Sequence, residues 1–244
     1  MKVIYFKKIY LYIAIILILI LSFLFYWIFN KSTIMPVSYL PITNKIIGID
    51  PGHGGVDPGT VSRNGVKEDE INLQIALKLK RFIEQSSGIA IMTRDTDKGL
   101  YTDKSTTLKQ MKSEDLKKRK EIVEKSNCDI FITIHLNSFP QSKYYGAQTF
   151  YKKDDEKSKR LSIIIQEELK NVLDKNNNRV PQHRDDLFLL KEIDIPTILI
   201  ECGFLSNPKE EQLLSTDKYQ EKIAWAIYVG IMRYFSELEG EYGF

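Results

Sequence analysis

Hydrophobic and polar positions alternate along this chain in distinct periods, and each change of period marks an element. Ile9 to Asn30 carries no charge and is apolar on every helical face, the pattern of a helix with no polar side. Beyond it, short apolar runs alternate with longer stretches of helical spacing. Lys45–Asp50, Ile89–Arg94, Asp129–Leu136, Gly146–Tyr151 and Thr197–Glu201 read as strands, and Leu187–Leu190 as a short one. Asp69–Ser86 places Leu73, Ala76, Leu77, Leu79 and Ile83 on one helical face. Asp155–Lys175 does the same with Leu161, Ile164, Ile165, Leu169 and Leu173, and Asp217–Leu238 with Ile223, Ala226, Ile227, Ile231 and Phe235. Ser113–Ser126 is a further helix with a capping-type start. Ile-rich strands apolar on both faces, separated by helices, predict an α/β fold with a mostly parallel central sheet flanked by helices. In such sheets, ligand sites lie beyond the carboxyl ends of the strands.

Charge changes the reading of the first segment. The chain has 35 Lys+Arg and 32 Asp+Glu, a net of +3. Lys2, Lys7, Lys8 and Lys31 fall within the first 31 residues, where there is no acidic residue, so the rest carries 31 basic against 32 acidic groups. A near-neutral body is a poor polyanion binder, which excludes general nucleic-acid binding. About 20 apolar residues span a bilayer as a helix, and three lysines before it against one after predict a cytoplasmic N-terminus. Tyr10, Tyr12, Tyr26 and Trp27 lie near the ends, where such rings favour the headgroup level. The rival is a cleaved signal peptide, but no small-residue cleavage site follows in Phe29–Thr33. Cys128 and Cys202, the only cysteines, exclude a disulfide-stapled scaffold and read as two small buried residues.

Three histidines remain to carry chemistry: His53, His135 and His183. His53 sits in a Gly-rich turn after the first strand, and His135 ends FITIH. Glu201 ends TILIE on a third strand, so three ionisable groups share one sheet edge. Histidines plus a carboxylate, with one position left open, are the donor pattern of catalytic zinc. Glu68, Asp69 and Glu70 all precede the first helix of the body, and composition does not choose among them; each also suits a helix first turn for dipole reasons.

Four segments in order then make a specific resemblance: IGIDPGHGGVDPGT, the G-x-x-E of Gly65–Glu68 with Asn72-Leu73, TIHLNS at Thr133–Ser138 and ECGFLSN at Glu201–Asn207. TRDTD at Thr93–Asp97 and the L-x-x-R of Leu116–Arg119 also fit. Together they resemble the zinc-dependent N-acetylmuramoyl-L-alanine amidase family (the amidase-3 group), over most of residues 45–235. The resemblance implies one Zn²⁺ held by His53, Glu68 and His135, with Glu201 catalytic. Leu136 and Cys202 stand where smaller residues are common, and neither removes a ligand. The chemistry agrees: two imidazoles and one carboxylate leave zinc a net positive charge for Lewis-acid work, and Glu201 can take a water proton and pass it to the leaving L-alanine nitrogen.

The expected organisation is an anchor at 1–31 (transmembrane about 9–30), a linker at 32–44 and a single catalytic domain at 45–238. The enzyme would then act on peptidoglycan outside the cytoplasmic membrane, on the cortex side of a forespore if it resembles the germination-specific amidases that make muramic-δ-lactam. General wall turnover is the rival role; a catalytically dead scaffold and a zinc peptidase acting within the stem peptide are the rival classes. Residues 136–200 leave little room for a built-in inhibitory lid, so control by timing, substrate modification or a partner protein is expected. His183 and Arg184 read as solvated loop residues, Lys117–Lys120 as a charged helix face, and Asn137 as either orienting or a turn residue. Asp50 is a candidate for holding His53 in place.

Overall fold

The computed structural model describes residues 8–29 and 39–241 and divides the chain into two units at Tyr39/Leu40. In the first, helix α1 spans Lys8–Phe29, and its Ile9–Tyr26 stretch, mean hydropathy 2.7, is long and apolar enough to cross a membrane. A signal sequence near an N-terminus passes the same test of length and hydropathy. The flanking charges Lys2, Lys7 and Lys31, and linker residues 32–38, lie outside the described residues.

The second unit is a six-stranded sheet, β1 (Ile46–Pro51), β2 (Ile89–Met92), β3 (Ile130–Asn137), β4 (Gln148–Tyr151), β5 (Gln182–His183) and β6 (Thr197–Phe204), in the order β2-β1-β3-β6-β4-β5. The four strands from β2 to β6 are parallel; β4 runs antiparallel to β6 and pairs with β5 in parallel. Alternation along β1, β3 and β6 sorts the side chains onto two faces. Ile47, Ile49, Ile130, Ile132, Ile134, Ile198 and Ile200 pack into the main core with α2 (Glu68–Gln85), α4 (Glu156–Val172) and α7 (Asp217–Glu241). Phe131 and its neighbours face α3 (Leu108–Lys125) and α5 (Phe188–Glu192) in a smaller cluster. Ile42, within the expected linker, is fully buried in the main core.

Two expected elements are corrected and one is added. The third helix begins at Leu108 rather than Ser113, because Thr107 and Gln110 form a reciprocal capping box a turn and a half earlier. Leu187–Leu190 is no strand: Leu187 caps the short helix α5, which buries Leu189 and Leu190. Helix α6 (Pro208–Leu214), absent from the sequence reading, starts where the Asn207 side chain accepts from the Lys209 and Glu210 amides.

Candidate active site

The parity of β3 and β6 puts His135 and Glu201 on the same face, in register with one another. Beyond β1 the chain leaves the sheet through Gly52 and turns at His53, which adopts φ 64°. A left-handed conformation is costly for a residue with a Cβ and persists only where its surroundings enforce it. Gly54 and Gly55, also at positive φ, complete the turn, and Gly54 exchanges backbone hydrogen bonds with Asp57. This brings the Asp57 carboxylate to 2.9 Å from His53 Nδ1.

With Nδ1 engaged, His53 presents Nε2 to Glu68 Oε1 at 3.3 Å, and His135 presents Nδ1 to the same oxygen at 3.2 Å. The ligand atoms of His53, Glu68 and His135 all lie within 4.8 Å of one another. Glu68 opens α2 and is 3% exposed; the Leu136 and Thr60 amides donate to its two oxygens at 2.9 and 2.8 Å. Of the three acids that open this helix, Glu68 alone joins the histidines. Asp69 is buried beside Arg94 and Asp97, and Glu70 is exposed and pairs with Lys67.

Two glycines are required by close approach. A Cβ at Gly52 would lie 2.2 Å from the His135 ring, and one at Gly59 would lie 2.7 Å from both Glu68 Oε2 and the His53 ring. Burial alone would push the His53 imidazole down, but its hydrogen bonds to the Asp57 and Glu68 carboxylates outweigh it and lift it to about 9. Burial would likewise raise Glu68, yet the two imidazoles hold it well below the carboxylate range. Glu201 is pushed up to about 7, first by burial and further by Glu68, against the lowering effect of His135. Its Oε2 is buried with no hydrogen-bond partner, so one carboxylate oxygen is left free to accept a proton.

Other expected residues fall elsewhere. Asp50 does not touch the His53 ring: it is fully buried and accepts from Thr93, Thr133 and Arg119. The residue that holds the imidazole is Asp57, whose signal was a carboxylate four positions after a histidine in a Gly-rich turn. Arg119, within the basic run read as a charged face, is 2% exposed and points inward. His183 lies exposed on β5, and Arg184 pairs with Asp186 at 2.5 and 2.7 Å. Cys128 and Cys202 are both buried and free.

The donor set suits a divalent metal, because two imidazole nitrogens and one carboxylate oxygen already converge within 4.8 Å of one another. A sheet edge carrying such a set next to an unpartnered carboxylate has the donor pattern of metal-dependent hydrolases. The match to known proteins makes the class specific: residues 47–233 fit the family model described as N-acetylmuramoyl-L-alanine amidase, and the chain belongs to that family. It is similar to the germination-specific N-acetylmuramoyl-L-alanine amidase of Bacillus subtilis, 37% identical over 219 residues, which cover 90% of this chain and 92% of that one. Among solved structures it resembles the CwlD amidase from Clostridioides difficile, in complex with the GerS lipoprotein, at 56% identity and TM-score 0.78, covering 80% of this chain and all of that one. The AmiC2 amidase of Nostoc punctiforme follows at 26% identity and TM-score 0.68, over 79% and 97% of the two chains. The protein is therefore a peptidoglycan amidase close to the germination-specific relatives.

Proposed function

We propose that this chain is a zinc amidase with His53, Glu68 and His135 as ligands and Glu201 as the catalytic base. The convergence of three donor atoms within 4.8 Å, beside an orphaned carboxylate oxygen, carries the reading. Zinc bound there supplies Lewis acidity and lowers the pKa of water toward about 7. The protein's own residues do the rest. Asp57 fixes the His53 tautomer by accepting from Nδ1, leaving the Nε2 lone pair for a metal. The Leu136 and Thr60 amides hold Glu68 in one rotamer. Glu201 Oε2 takes a proton from the water that adds to the lactyl carbonyl of N-acetylmuramic acid. It returns that proton to the L-alanine nitrogen as the C–N bond breaks, giving a free carboxylic acid and a free amine.

The germination-specific name of the Bacillus subtilis relative supports a role in spore cortex, where removal of the stem peptide permits muramic-δ-lactam to form. The Clostridioides difficile relative was solved with a lipoprotein, which supports a protein partner for this chain as well. Residues 1–31 serve as the membrane anchor through α1, and the catalytic domain, which takes in the expected linker from Leu40 onward, lies outside the membrane; the length and hydropathy of Ile9–Tyr26 support the anchor.

Metal analysis of the purified full-length chain tests the site. The wild type should hold one zinc, His53→Ala and His135→Ala should lose it, and Glu201→Ala should keep it. Stoichiometric zinc in both histidine variants would remove the ligand assignment. Cortex from spores lacking the protein should contain no muramic-δ-lactam; normal amounts would return the enzyme to general wall turnover.

A further inference from the structure

Two sequence motifs, TRDTD and L-x-x-R, take no part in the chemistry above, yet each contributes a buried arginine aimed at the metal pocket. Arg119 donates through Nε to Asp115 at 2.5 Å and through Nη1 to Asp50 at 2.6 Å and the Pro51 carbonyl at 2.8 Å. Its Nη2 donates to the His53 carbonyl at 2.6 Å. Arg94 donates to the carbonyls of Pro51, Gly52 and Asp69 at 2.9, 3.1 and 2.9 Å. The carbonyls of residues 51, 52, 53 and 69 are thus held by two guanidiniums, and they flank both His53 and Glu68.

The arrangement answers a local problem. Once the chain leaves β1 after Pro51, the carbonyls of Gly52 and His53 have no strand ladder to join, and unpaired buried carbonyls are costly. His53 also sits at φ 64°, a left-handed conformation that few residues with a Cβ adopt. A planar fork with several donors in fixed directions can serve several acceptors at once, as the single ammonium of a lysine cannot. We propose that Arg119, with Arg94 beside it, is a positioning residue that builds the His53 side of the pocket before a metal arrives. The proposal rests on the zinc assignment above only in one arm of its test.

That test compares wild type, Arg119→Lys, Arg94→Lys and Lys117→Ala as full-length chains in detergent micelles. Lys117 is an exposed position on α3 and serves as control. Two quantities are read: amide hydrogen exchange at residues 52–54 in zinc-free protein, and the zinc dissociation constant by competition with a chelating dye. Arg119→Lys should retain wild-type far-UV circular dichroism, exchange at 52–54 at least roughly 10-fold faster, and bind zinc roughly 10- to 100-fold more weakly. Arg94→Lys should follow in the same direction, and Lys117→Ala should match wild type. A purely structural role would lower Tm while leaving both quantities unchanged, and that result overturns the proposal. Should the arginine variants fail to fold, Asp115→Asn, which weakens the Arg119 Nε contact and keeps an acceptor for the Leu100 amide, must shift both quantities in the same direction; wild-type values there also overturn it. A wild type that binds no zinc would count against the zinc reading, and exchange at 52–54 would still decide this one.

Discussion

Replacing Gly52 by alanine isolates the His135 ligand from the rest of the fold. The new methyl carbon would stand 2.2 Å from His135 Cε1 and 2.3 Å from Nε2. Carbon atoms in a packed interior settle at about 3.5–4.0 Å, so the ring must retreat by at least roughly 1.3 Å. Gly52 is not among the glycines at positive φ, so the backbone accepts alanine there. The crowded neighbour is a side chain that can rotate away, and the expected loss of stability is about 1–3 kcal/mol, typical of overpacking. The chemical cost is larger. A ring moved by that distance no longer points its Nδ1 at the oxygen it shares with His53, and a 1 Å misplacement can cost on the order of 100-fold in rate. Gly52→Ala should therefore fold, bind zinc at least roughly 10-fold more weakly by chelator competition, and lose most amidase turnover measured as released amine. Wild-type zinc affinity and turnover in a folded Gly52→Ala protein would refute the placement of His135 in the pocket.

The other predictions use the same geometry. Asp57→Asn should weaken zinc binding roughly 10- to 100-fold with little loss of secondary structure, because His53 Nδ1 loses its anionic acceptor; unchanged affinity would show that Asp57 acts only on the turn. Glu201→Gln should retain zinc and lose turnover, and measurable cleavage at wild-type rate would remove its role as base. The Tm of zinc-free protein should be highest near pH 4.5 and fall from there towards pH 9. His53, held at about 9, contributes fully below 6.5 and loses that contribution as pH rises through 9, while Glu68, held below its usual value, loses its own as pH falls below 4.5. Glu201, raised to about 7, loses its contribution first, as pH rises from 4.5 through 7. A Tm that climbs from pH 6.5 to 9 would contradict this. Zinc must also displace the His53 proton near pH 7, so calorimetry in buffers of different ionisation enthalpy should record at least about one proton released; none released would place the imidazole neutral beforehand.

Much of this was legible in the sequence because the strands are short, Ile-rich and buried on both faces, so composition and period agree. The edge-sharing of His53, His135 and Glu201 followed from the same periods. What stayed hidden depends on partners distant in the chain. The antiparallel run of β4 leaves no mark on its own residues. Leu187–Leu190 is too short for its period to separate strand from helix. The start of α3 was misplaced because Ser113-Glu114 mimics a capping box that Thr107 and Gln110 form. Arg119 looks like its lysine neighbours until Asp50, 69 positions away, is seen to bury it. Asp50 and Asp57 both lie close to His53 in sequence, and only the turn decides which meets its ring.

The central claim is that this site cuts the bond between N-acetylmuramic acid and L-alanine, and mass spectrometry of peptidoglycan digested by the zinc-loaded full-length chain tests it most directly. The account predicts intact stem peptides with new free L-alanine amines and glycan strands with bare lactyl carboxylic acids, absent with Glu201→Gln. Truncated stems still attached to the glycan would contradict it and make the enzyme a peptidase.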